Sequence, residues 1–107
     1  MAERSPIDEF IGREVFITFE NGDYMGRVAK PNYDLGYVDL LPSIVFCPEG
    51  KLAMLETESP TRLSLALFTL GVRYSITPQK DGFLEKKVEH INSRHKRAGA
   101  HMGFKQD

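Results

Sequence analysis

Residues 14–20 alternate in polarity: Val15, Ile17 and Phe19 fall on one side, and Glu14, Thr18 and Glu20, with Phe16, on the other. A period of two marks a half-buried strand. Before it, Ser5-Pro6-Ile7-Asp8-Glu9-Phe10-Ile11-Gly12 reads as a short helix. Ser5 can cap it, Pro6 suits its first position, Asp8 and Glu9 favour its positive end and Gly12 stops it. Asn21-Gly22 tolerates positive φ and predicts a hairpin into a second strand over residues 24–30. Residues 33–41 and 43–47 predict a third strand, bent or forced to an edge by Pro42.

Pro48-Glu49-Gly50-Lys51 signals a turn, and residues 52–57 a further strand closed by Ser59-Pro60. Residues 62–70 are rich in Leu and fit strand or helix by periodicity. Their shortness, between Pro60 and Gly71, favours a strand, with another over residues 72–77. Beyond Gly82, Leu84, Val88 and Ile91 recur at helical spacing among Glu85, Lys86, Lys87 and Glu89. That helix is expected to end near Arg97-Ala98-Gly99. The pattern predicts one all-β domain over residues 1–97 and a mobile tail over 98–107. Its architecture would be a small, strongly bent five-stranded antiparallel barrel with a short N-terminal helix and a C-terminal helix.

Charge changes the picture only through its distribution. The 14 basic and 15 acidic side chains nearly cancel, but residues 1–79 carry −4 and residues 80–107 carry +3. A mildly acidic body therefore bears a basic end. No apolar run is long enough to cross a bilayer, and residues 1–6 lack the apolar core of a signal peptide. With a single cysteine, Cys47, no intramolecular disulfide is possible, and the expected compartment is cytoplasmic.

The stretch from Phe10-Ile11-Gly12 through Asn21-Gly22 to Gly26-Arg27-Val28 resembles the first motif of the Sm/LSm superfamily, which includes the bacterial host-factor RNA chaperone. A glycine inside the second strand, Gly26, lets a small sheet bend sharply. Tyr33-Asp34-Leu35-Gly36-Tyr37 resembles the family's aromatic-Asp loop, and Leu70-Gly71-Val72-Arg73 a partial second motif. The resemblance implies a homo-oligomeric ring that binds single-stranded RNA without catalysis. Asp34 would organise the loop, Tyr37 would stack on a base, and Arg73 would compensate for Leu70, which occupies the family's arginine position. Val38 stands where the family has a base-reading Asn. The interval from Asn21-Gly22 to Gly26 is one residue shorter than usual, and that from Gly26 to Tyr33-Asp34 two residues longer.

Arg94, Lys96 and Arg97 in the basic end are candidates to hold phosphates. They also suit a solvated helix end, where cations complement the dipole. Tyr37 fits a half-buried sheet position as well as a stacking platform, and Asp34 a turn former. Val38 and Leu70 favour the second reading, a protein-interaction or structural module on the same barrel with the RNA site lost. His90, His95 and His101, five and six residues apart, do not share a helical face for metal, so no metal or other cofactor is expected. Cys47 fits a small buried hydrophobe. Glu56 and Glu58 share a strand face but have no partner base. The chain contains no Gly-rich phosphate loop, no Gly-x-Ser-x-Gly elbow and no His-Glu-x-x-His, so no catalytic residue is assigned.

Overall fold

The computed structural model describes residues 5–20, 22–47, 52–69 and 71–101, with side chains as far as Arg94. Within them six antiparallel strands build one sheet: β1 Glu14–Phe19, β2 Gly22–Val28, β3 Tyr37–Phe46, β4 Ala53–Glu56, β5 Thr61–Ser64 and β6 Tyr74–Pro78. The order is β4-β3-β2-β1-β6, and β5 pairs with the other half of β3. A helix, α1, spans Phe83–His101. The N-terminal element is a 3-10 turn, Pro6–Phe10, capped by Ser5 as its sequence predicts.

Several expectations are corrected. The sheet is not closed into a barrel: among the described residues β5 and β6 each have one partner and no ladder joins them. Residues 62–70 do not form one strand. The chain leaves β5 at Ser64, whose hydroxyl accepts from Ala66 N at 3.2 Å, and turns through a 3-10 segment, Leu65–Phe68. A hydroxyl that caps a turn competes with the sheet ladder for the backbone. Gly22 opens β2 opposite Phe19, so the connection precedes it; Asn21 lies outside the described residues, as do 48–51, Leu70 and 102–107. α1 also continues past residues 97–99 to His101.

The main core lies on one side of the sheet. Val15 and Ile17 of β1, Val28 of β2, and Val38 and Leu40 of β3 are each at most 1% exposed and pack with Ile7, Leu63 and Phe68. Burying each such side chain contributes about 1.5–3 kcal/mol. Between the pairs Gly26↔Ser43 and Val28↔Leu40, β3 runs one residue longer than β2. This bulge at Leu41-Pro42 reverses the facing of later β3 residues, and Ile44 joins a second cluster with Met25, Ala53 and Leu84. There is no room for a side chain at Gly26: a Cβ would stand 2.7 Å from Leu40 Cβ and 2.9 Å from the Pro42 carbonyl.

α1 covers the opposite side of the sheet, with Leu84, Val88 and Ile91 packed into the second cluster. That is why Phe16 shares a face with Glu14. Both lie beneath or beside the helix, and Glu14 is buried rather than solvated. Its carboxylate accepts hydrogen bonds from Leu84 N (3.0 Å), Gly82 N (3.5 Å) and Arg27 Nη2 (2.8 Å). A strand residue thereby caps the first turn of a helix seventy positions later, where a negative charge is favoured by the helix dipole. Farther along, Asn92 meets Ala53 of edge strand β4: its Oδ1 accepts from Ala53 N at 2.8 Å and its Nδ2 donates to Ala53 O at 2.9 Å. One side-chain amide occupies the backbone pair that an adjacent strand would otherwise take.

Candidate nucleic-acid interface

Tyr37 begins β3 where a tight turn returns the chain from β2. Asn32 organises that turn. Its carbonyl accepts from Gly36 N (2.8 Å) and Tyr37 N (3.1 Å), its amide donates to Tyr37 O (2.8 Å), and its side-chain oxygen accepts from Leu35 N (3.0 Å). Asp34, assigned that role by the resemblance, is exposed and makes no hydrogen bond among the described residues. The Asn side chain sits at the first turn position, where it reaches the backbone two or three residues on. Gly36, with φ of 78°, completes the reversal, and its carbonyl accepts from Leu65 N at 2.9 Å. The Tyr33 hydroxyl accepts from Ser5 N at 3.0 Å and donates to Asp8, tying the N-terminal turn to this loop.

Alternation along β3 points Val38 and Leu40 into the core and Tyr37 and Asp39 away from it. The register sets Asp39 opposite Arg62 of β5. Arg62 Nε and Nη2 grip the two Asp39 oxygens at 2.8 and 3.1 Å, and the guanidinium lies 3.7 Å from the centre of the Tyr37 ring. Asp39 raises the Arg62 pKa above its ordinary value by this hydrogen bonding. Asn32 Nδ2 approaches the Tyr37 hydroxyl at 3.4 Å. The resulting concavity of about 400 Å³ is lined by Lys30, Asn32, Asp34, Tyr37 and Asp39. Tyr33 and Tyr37 bring it two aromatic side chains, the second with the Arg62 guanidinium stacked on it, and its polar groups carry both signs. No Ser, Cys or His is among the residues that line it.

Of the sequence candidates, the structure brings Asp34 and Tyr37 together. Arg73 stands just before β6, with β2 and β1 between it and β3, and borders a separate hollow with Phe19, Glu20 and Tyr74. Arg94 is exposed on α1. Lys96 and Arg97 also belong to α1, with side chains outside the described residues. Val38, the position that the resemblance gives to a base-reading Asn, is fully buried and faces the core. Sequence reasoning missed Asn32, Asp39 and Arg62. The available signal was outward alternation on two strands, but their pairing is set across 23 positions.

Glu56 and Glu58 do not form a carboxylate pair on one strand face. Glu56 accepts from Glu58 N and Ser59 N at 3.0 and 2.9 Å, and these bonds lower its pKa. Cys47 is half-buried, its sulfur 3.8 Å from that of Met54. Among the described residues no group of three His, Cys, Asp or Glu could hold a metal, and no helix is long and apolar enough to cross a membrane. Comparison with family models, with curated proteins and with solved structures returned no match.

Proposed function

We propose that this protein is a non-enzymatic, Sm-like binding module that holds single-stranded RNA at Tyr37 and self-associates into a cyclic homo-oligomer. The observation that carries the reading is the Tyr37–Arg62 stack at the rim of the polar concavity. A flat ring beside a guanidinium is a surface on which an unpaired base stacks, and Lys30 supplies a cation for its phosphate. Tyr37 needs no Asn at position 38 for this, since stacking is indifferent to base edges. The edges support the ring: among the described residues β5 and β6 each pair with a strand on one side only. Open edges of this kind pair with another copy unless blocked by charge, and repeated head-to-tail pairing closes into a ring.

A protein-interaction module is the second reading, favoured by the burial of Val38 and by Asp39 neutralising Arg62. Anisotropy of a labelled ten-nucleotide RNA, run beside native mass spectrometry, separates the two. The RNA reading expects binding that weakens steeply with salt, and a loss of about 1–3 kcal/mol in Tyr37→Ala with the assembly intact. No binding at low salt by an assembled protein selects the interaction module. A folded monomer at micromolar concentration removes the ring.

A further inference from the structure

A second concavity, of about 530 Å³, lies between the β6–α1 connection and the first two turns of α1. Pro78 and Phe83 give it an apolar side, and Lys80, Lys86, Lys87 and His90 a polar one. On α1, Phe83, Lys86, Lys87 and His90 follow at offsets of three, four and seven, so they share one face of the helix. Arg94, exposed, continues that face by one turn. At 100° per residue Glu85 and Glu89 fall on the far side, and Leu84, Val88 and Ile91 face the sheet. Among the described residues the helix thus sorts its charges, with Lys86, Lys87 and Arg94 on one face.

Ion pairing separates these lysines from the arginines of the sheet. Arg27 is held by Glu14 and Arg62 by Asp39. Among the described residues none of the three lysines has an ion-pair partner, and Asp81 is the one acid lining the concavity. Unpaired cations beside an aromatic ring, in a hollow within the size range of small-ligand sites, match an anion that carries a flat apolar group. The geometry points to a nucleotide unit as the ligand: base against Phe83 and Pro78, phosphate among Lys80, Lys86 and Lys87. The unit comes either from a single RNA strand or from a free nucleotide. This site shares no residue with the Tyr37 concavity and does not depend on it.

The test titrates the full chain with adenosine monophosphate, with inorganic phosphate and with a ten-nucleotide adenylate RNA, following backbone amide resonances and anisotropy. The nucleotide or the RNA should move the amides of residues 80–90. Phe83→Leu keeps apolar volume but removes the ring, and should weaken whichever of them binds by about tenfold while leaving phosphate binding unchanged. Lys80→Gln/Lys86→Gln, both at exposed positions, should lower the magnitude of the RNA salt slope by about 1.4, near 0.7 for each phosphate no longer neutralised. RNA binding far more tightly than the monophosphate identifies a strand as the source, and equal affinity a free nucleotide. Tyr37→Ala is run alongside: loss of the groove signal only in the groove variants keeps this site separate from the Tyr37 reading. Unchanged binding in the double variant overturns the proposal, as does phosphate binding as tightly as the monophosphate, which would leave only a surface for anions.

Discussion

Replacing Glu14 by Gln tests whether one strand carboxylate anchors α1. Burial opposes ionisation of this group, but the bonds from Leu84 N, Arg27 and Gly82 N outweigh it, and its pKa lies below the ordinary 4.5. Gln retains an acceptor for Leu84 N and loses the charge. A hydrogen bond to a charged group is worth about 1.5–3 kcal/mol against about 0.5–1.5 for a neutral one, so the expected cost near pH 7 is about 1–2 kcal/mol. Arg27, 44% exposed, recovers water and adds little. The sign of the pH effect follows from the lowered pKa. The carboxylate's contribution is complete above the unfolded value and is lost as pH falls through the folded one. Wild-type stability should therefore decline below about pH 4.5, while the variant shows a shallower decline there. Urea unfolding at a series of pH values measures both curves, and hydrogen exchange of the α1 amides shows whether the helix opens first. A Glu14→Gln protein within about 0.5 kcal/mol of wild type at pH 7, with an unchanged acid limb, would refute this account of the anchor.

Gly26→Ala should destabilise by about 1–3 kcal/mol or more, because its Cβ meets Leu40 Cβ and the Pro42 carbonyl under 3.0 Å; thermal unfolding reads the shift. Asn92→Ala leaves Ala53 N and O without their side-chain partners and should cost about 1–2 kcal/mol, with faster exchange at Ala53 and in the second half of α1. Asp39→Asn removes the counter-charge of Arg62. If RNA binds beside Tyr37, affinity should rise and the salt slope steepen by about 0.7, as measured by anisotropy; a weaker complex would mean that Asp39 positions the guanidinium for binding.

Local pattern alone determined the strand at residues 14–19, the capped turn at Pro6–Phe10, the glycine inside β2 and the packed face of α1. Each rests on interactions between residues within a few positions of one another: period two, period 3.6, a cap, or a side chain too small to clash. Only the tertiary structure decided the rest. Glu14 reads as a solvated strand residue until a helix from the other end of the chain comes to lie over it. Residues 65–68 contain enough leucine for a strand, but Ser64 caps a 3-10 turn that packs Phe68 between Phe19 and Tyr74 instead. Sheet closure depends on whether β5 and β6 meet, a matter of curvature accumulated along the whole sheet rather than of either strand's composition. In the same way, Tyr37 was visible as a candidate, whereas its partners Asp39 and Arg62 were not. A charge facing out of a strand has no identity as an ion pair until the register of a second strand brings its partner to 2.8 Å.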